Sequence, residues 1–268
     1  MDIVPSKEIY TPGYSSVAVR YMMRRHAGRD AGFLMSRLRK GMSLLDCGCG
    51  PGTISIGLAE VVTPGSVIGI DLEQGQVDMA RQEAQRCGAA NLRFEIASVY
   101  DLPFPAEAFD VVFSHALFEH LTDPARALKE IRRVLRAGGA VAISSPDWSG
   151  NLMAPRDQAA DEAIDFYKLL QAQNGGNPYI GRELGRLLQQ TGFSSVELTA
   201  MYDCYEDVGL FADLIAERIE KACGPGHSVD MTTDSSRISR ADALRQWAKQ
   251  PAVLYAQSFV EAIGYVMK

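Results

Sequence analysis

One stretch constrains this chain more than any other: Leu44-Leu45-Asp46-Cys47-Gly48-Cys49-Gly50-Pro51-Gly52-Thr53, running on from Ile54 to Ala59. A short apolar run closes on an acid. A glycine-spaced loop follows, and then residues with helical periodicity. That reads as strand, tight turn and helix start, the setting in which a glycine pattern carries meaning. Glycines at 48, 50 and 52 free the backbone for positive φ and for close approach to a ligand. The helix opening near Thr53 turns its unpaired N–H groups and positive dipole end toward the loop.

Two ligand classes suit such a loop. A dinucleotide fingerprint would seat a pyrophosphate on the helix N-terminus with the spacing G-x-G-x-x-G. Here the spacing is Asp46-x-Gly48-x-Gly50-x-Gly52, with Pro51 in the loop. Asp46 argues against a phosphate, because two negative groups would be crowded together. It suits a ligand carrying an ammonium or hydroxyls. The next strand, Val67–Leu72, closes on Asp71, about twenty residues beyond the loop, where an acid reaches ribose hydroxyls. The D-x-G-x-G-x-G pattern resembles motif I of the class I S-adenosylmethionine-dependent methyltransferases. The resemblance implies that the loop wraps the methionine moiety, with Asp46 near its amino group and Asp71 on the ribose.

Further pieces extend the likeness. Tyr10-Thr11-x-Gly13-Tyr14 and Arg20-x4-Arg25 resemble the N-terminal helices of the ubiquinone/menaquinone-biosynthesis type. There this segment covers the cofactor, and an arginine clasps the methionine carboxylate. By position in that segment Arg25 is the candidate and Arg20 the reserve, since guanidinium matches carboxylate in bidentate fashion. This chain has Pro12 where the subgroup often carries histidine. The loop after the third strand usually reads G-D-A-x-x-L-P-F, its aspartate binding the adenine amine. Here Ser98 stands at that position, so adenine recognition shifts toward the Ser98 hydroxyl and the Val99 backbone. The implied cofactor-binding set is Arg25, Asp46, Gly48, Gly50, Gly52, Asp71, Leu72, Gln76, Ser98, Val99, Ser114 and His115.

The chain order supports an α/β, doubly wound, Rossmann-like sheet of seven mostly parallel strands in the order 3-2-1-4-5-7-6, with N-terminal helices and helical lid insertions. Val17–Arg39 reads as helix, interrupted near Gly28. Ser43–Cys47 and Phe109–Ser114 are continuous apolar runs, hence central strands covered on both faces. Leu92–Ile96 alternates and belongs at the sheet edge. Asp123-Pro124 opens a helix as N-cap and N1, which Gly138-Gly139 ends before a fifth strand over Ala140–Ser144. The expected units are 1–41 as cofactor cover, 42–149 as core, 150–180 as lid insertion, 181–200 as core again, 201–256 as helical lid with a loop over 223–236, and 257–268 as the last core strand.

The segment after strand four, His115 to Leu121, lies beside the sulfonium in the family. His115 and Glu119 are therefore the catalytic candidates, with His120 read as capping or packing. Tyr14, Asp147, Trp148, Phe166 and Tyr202 are the substrate-pocket candidates. Methyl transfer from a sulfonium is an in-line displacement, so alignment and water exclusion come first. A base is needed only where the acceptor is protonated. The chain of 268 residues carries a net charge of −6, which argues against a nucleic-acid partner. Its five cysteines show neither a pairing pattern nor zinc spacing. No metal site, signal peptide or membrane span is expected. The reading is a cytoplasmic monomer or homodimer that methylates a small organic acceptor at O, N or C. Two rivals stand beside it: a non-catalytic regulatory protein that binds S-adenosylmethionine, and an NAD-dependent oxidoreductase.

Overall fold

The computed structural model describes residues 9–222 and 234–267. The N-terminal residues 1–8 and most of the loop expected over 223–236 lie outside the described residues; 234–236 already belong to a helix. Three short helices come first, α1 (Ser16–Met23), α2 (Ala27–Asp30) and α3 (Gly32–Met35). The single interrupted helix expected over 17–39 is thus divided. The Asp30 side chain accepts the His26 backbone N–H at 2.7 Å, which closes a new helical start immediately after α1.

β1 (Ser43–Cys47) leads through α4 (Thr53–Val62) to β2 (Ser66–Asp71), and α5 (Gln74–Cys87) leads to β3 (Leu92–Ile96). β4 (Phe109–His115), α6 (Pro124–Val134) and β5 (Leu135–Pro146) continue the pattern. β1 lies between β2 and β4, parallel to both, and its residues 44–47 are buried. A strand covered on both faces is mostly apolar, and here Leu44, Leu45 and Cys47 are, while Asp46 is the buried exception. β3 pairs only with β2 and buries Phe94 alone, as its alternation requires. Asp123 caps α6 by accepting the Arg126 N–H.

The second half departs from regular alternation. β6 (Leu152–Ala154), α7 (Gln158–Gln173), α8 (Leu184–Gln190), β7 (Ser194–Cys204), α9 (Val208–Lys221), α10 (Asp234–Trp247) and β8 (Leu254–Tyr265) follow. β8 runs antiparallel between β5 and β7. The sheet order is 3-2-1-4-5-8-7, which is the expected order once the extra strand β6 is set aside. β6 pairs with the first residues of β8, beyond the end of β5. The fifth strand begins at Leu135, not Ala140, and α6 stops at Val134. Gly138 N–H donates to the Val266 carbonyl while Val266 N–H donates to the Gly139 carbonyl, so the end of the chain captures the glycine pair into extended structure.

α7, α9 and α10 pack on one another, and α1 packs on α9. Their shared core includes Trp148, Tyr167, Phe211, Trp247 and Tyr255. Each such side chain contributes roughly 2–3 kcal/mol by leaving water. This helical roof stands over the carboxyl ends of β4 and β5. A second close contact seats the N-terminal cover: a Cβ on Gly57 of α4 would lie 2.6 Å from the Ala27 Cβ of α2. Glycine there lets the two helices touch.

Candidate active site

A cavity of about 810 Å³ opens at the carboxyl ends of β1, β2 and β4. Ligands bind at this place in open α/β sheets, where the strand order reverses. Its floor is the glycine loop. Gly48 and Cys49 N–H both donate to the Ile70 carbonyl at 2.9 Å, which folds the loop back onto β2. Gly50 N–H donates to Asp71 Oδ2 at 2.9 Å, and Glu73 N–H donates to Asp71 Oδ1 at 3.0 Å. Asp71 therefore shapes the loop and lines the cavity at once. Burial raises its pKa, and the surrounding backbone N–H groups oppose that rise.

The three glycines do different work. All have positive φ, at +75°, +51° and +81° for Gly48, Gly50 and Gly52. Gly48 and Gly50 line the cavity. Gly52 does not. A Cβ there would sit 2.6 Å from the Phe94 ring and 2.9 Å from Ala80, so its hydrogen faces the packing behind the loop. Asp46 lines the cavity but is nearly sealed, and it accepts the Ser55 hydroxyl at 2.5 Å. Burial pushes its pKa up to about 7 against the pull of that hydrogen bond, and nearby Asp71 pushes the same way. Gln76 lines the cavity with a buried Oε1 that has no partner.

Leu72, Ser98 and Val99 line the same wall, as the sequence suggests. The Ser98 hydroxyl accepts the Tyr100 N–H at 3.2 Å, so part of its capacity goes to its own turn. Ser114 is absent from the lining: it is fully buried, and its hydroxyl donates to the Cys47 carbonyl, tying β4 to β1.

The cavity is also lined by Tyr10, Tyr14, Met22, Arg25, His115 and His120. The Arg25 Nε is buried without a partner, and its guanidinium carbon lies 5.7 Å from the Tyr21 ring centre. His115 stacks on Phe259, ring centres 5.2 Å apart. Burial holds its pKa well below the usual histidine value, with Arg25 adding to the effect. His120 meets Tyr10 edge-on at 4.7 Å, and burial lowers its pKa to about 3. Its Nε2 lies 3.6 Å from Glu119 Oε1, a contact between a neutral ring and a carboxyl that burial pushes up to about 7.

Glu119 sits outside the main cavity. With Trp148, Tyr167, Gln171 and Phe211 it lines an annex of about 40 Å³, which shares Tyr10, Met22, Arg25, Ala116 and His120 with the larger space. Three substrate candidates line neither space. Phe166 is buried in the roof, with the Arg240 guanidinium 5.3 Å from its ring centre. Asp147 accepts the Ser149 N–H and pairs with Arg182. Tyr202 stands 49% exposed on the edge strand β7. A chain position near the strand ends does not decide which way a side chain points, and for these three it points elsewhere.

A family model described as "Methyltransferase domain" matches residues 38–192, more than half of the chain. The chain belongs to the class I S-adenosylmethionine-dependent methyltransferases. It is 32% identical over 195 residues to an uncharacterized methyltransferase of Schizosaccharomyces pombe, covering 67% of each chain. It is 30% identical over 186 residues to the O-methyltransferase resE of Aspergillus sclerotiorum, covering 69% of this chain and 67% of that one. Against two other curated relatives the match spans about half of their length, 48% and 50%. The crystal structure of YcgJ from Bacillus subtilis superposes with a TM-score of 0.61 over 93% of this chain and 99% of that one, at 17% identity. No helix among the described residues is long and apolar enough to cross a membrane.

Proposed function

We propose that the chain transfers a methyl group from S-adenosylmethionine to a small organic acceptor enclosed beneath the helical roof. The observation that carries this reading is the continuity of one cavity from Asp71, Ser98 and Val99 past Gly48 and Gly50 to Arg25, His115 and His120. Its volume lies in the range of small-molecule and cofactor sites. The donor set suits the cofactor. The Asp71 carboxylate takes ribose hydroxyls, and the orphaned Gln76 oxygen takes a further donor. A Cβ on Gly50 would project between Met22 Sδ, 3.6 Å away, and Gln76 Oε1, 3.9 Å away, so glycine leaves that space to a ligand. Asp46, whose pKa burial raises to about 7, would ionise in favour of an ammonium placed beside it. Arg25 supplies the charge for a carboxylate.

When bound, the cofactor supplies an electrophilic methyl on sulfur. The chain's own part is alignment and exclusion of water. Tyr10, Met22 and His120 line both the main cavity and the small aromatic annex, so an acceptor held in the main cavity would lie against the annex mouth. Tyr14 and Trp148 are the retained substrate contacts, one in each space. Of the two catalytic candidates, His115 lines the main cavity, where burial and Arg25 favour its neutral form and make proton uptake costly. Glu119 lines only the annex and serves to hold the acceptor. The O-methyltransferase relative supports an oxygen nucleophile. The test is transfer of labelled methyl from S-adenosylmethionine across a panel of phenols, enols and amines. Label on a hydroxyl acceptor is the expected result. Cofactor binding with no transfer to any acceptor would favour the regulatory rival.

A further inference from the structure

Arg24, Arg25 and Arg29 flank the break between α1 and α2. Residues three apart share a helix face, whereas neighbours do not, so the end of α1 looks two ways. Met22 and Arg25 line the cavity, and the Arg25 N–H donates to the Met22 carbonyl at 3.1 Å. Tyr21 and Arg24 turn toward β7 and β8. The Tyr21 hydroxyl shares a hydrogen bond with the Tyr205 hydroxyl, which donates to Gln257 of β8. The Arg24 guanidinium carbon lies 4.2 Å from the Tyr205 ring centre.

The carboxylates at this break are already taken. Asp203 on β7 is 3% exposed and faces two arginines. Arg24 grips it at two points, Nη1 donating to Oδ1 at 3.2 Å and Nη2 donating to Oδ2. Arg29 Nη1 lies 3.4 Å from the same Oδ1. Arg29 also donates to Asp30 at two points, Nε at 3.1 Å and Nη2 at 3.0 Å, and Asp30 accepts the His26 N–H at 2.7 Å. Arg25 stands between these anchors. Among the described residues it makes no ion pair, and its Nε is buried without a partner. Asp203 and Asp30 thus answer Arg24 and Arg29, and the charge left over is the one in the cavity.

We infer that Asp203 is a positioning residue for the cofactor: by tying down Arg24 and Arg29 on either side, it presents Arg25 to the carboxylate of the methionine moiety. This rests on the methyl-transfer reading and adds a device outside the cavity that serves it. An arginine side chain has many rotamers, so its aim depends on how firmly its backbone is held. A distant charge at Asp203 has little direct effect on this ligand. The amino-acid end carries an ammonium beside its carboxylate, and a field that helps one hinders the other. Removing Asp203 therefore acts through Arg25.

The test is calorimetric titration of the full-length protein with S-adenosylhomocysteine and with methylthioadenosine, which keeps the nucleoside and sulfur but lacks the carboxylate and ammonium. Arg25→Ala should weaken the first about 10- to 100-fold, as loss of a charged hydrogen bond does. Asp203→Asn should weaken it about 5- to 20-fold, the range of coupled neighbours. Both variants should bind methylthioadenosine within about twofold of wild type, since they leave the nucleoside contacts alone. The double variant should be no weaker than Arg25→Ala, because Asp203 has nothing left to position. Should Asp203→Asn fail to fold, Arg24→Gln opens the same grip from a side chain that is 21% exposed, with the same pattern expected. An unchanged affinity for S-adenosylhomocysteine in Asp203→Asn, an equal loss of both ligands, or additive losses in the double variant would overturn the inference and leave the methyl-transfer reading standing. A folded wild type that binds neither ligand would sink that reading and this inference with it.

Discussion

The floor and the roof of the cavity are built on different principles. The floor uses backbone: N–H groups of Gly48, Cys49, Gly50 and Glu73 are fixed by one carbonyl and one carboxylate. Few side chains take part, and the positive φ of Gly48 and Gly50 favours glycine at both. The roof uses volume. Phe211 stacks on Tyr255 with ring centres 3.9 Å apart, and Tyr205, Trp148 and Tyr167 close around them. The floor can therefore be shared by enzymes with one cofactor, while the roof can be repacked to admit different acceptors. Damage to the roof should register as lost stability, and damage to the front of the floor as lost affinity.

The largest expected effect is in the roof. Phe211→Ala leaves a cavity among aromatic rings and should lower unfolding stability by about 3–5 kcal/mol in urea denaturation. Cofactor affinity in the folded fraction should stay within about twofold, since the sites are separate. Next comes the back of the floor. Gly52→Ala places a Cβ against Phe94 at a φ of +81° and should cost roughly 2–4 kcal/mol of stability by strain and overpacking together. If Gly52 touched the ligand instead, affinity would fall and stability would hold.

At the front of the floor the signature reverses. Asp71→Ala removes the acceptor of Gly50 N–H and the proposed ribose contact. It should weaken cofactor binding roughly 30- to 100-fold, as loss of charged hydrogen bonds does, with a smaller change in thermal midpoint. The smallest effect is a pH dependence. Asp46 ionises near pH 4 when unfolded, but only at about 7 in the unliganded fold. An acid whose pKa is raised by folding stabilises the fold while it is neutral. That contribution is complete below about pH 4 and is lost as the pH rises to about 7. Asp46→Asn should flatten this decline in denaturation midpoints, and a bound ammonium ligand should reverse it.

The same contrast explains what the sequence discloses. Asp46, the glycine spacing and Asp71 lie within one strand–loop–helix–strand unit, so local pattern alone brings them together. The parallel strands were legible because central strands are mostly apolar on both faces. Gly52 belongs to the pattern but faces Phe94, which lies far along the chain and leaves no local sign. The roof shows the limit more sharply. Phe166, Asp147 and Tyr202 carry chemistry suited to a pocket, yet their directions are set by helix packing and by the pairing of β8 with β6 and β7. Asp203 meets Arg24, 179 positions away in the chain, only because the N-terminal cover lies against β7. No spacing rule in the sequence encodes that meeting.

The most direct test of the account is calorimetric titration of the wild-type protein with S-adenosylmethionine, S-adenosylhomocysteine and NAD, repeated with Asp71→Ala. The account predicts micromolar binding of the first two, none of NAD, and the loss stated above in the variant. Binding of NAD by a folded protein that ignores both sulfur ligands would contradict it.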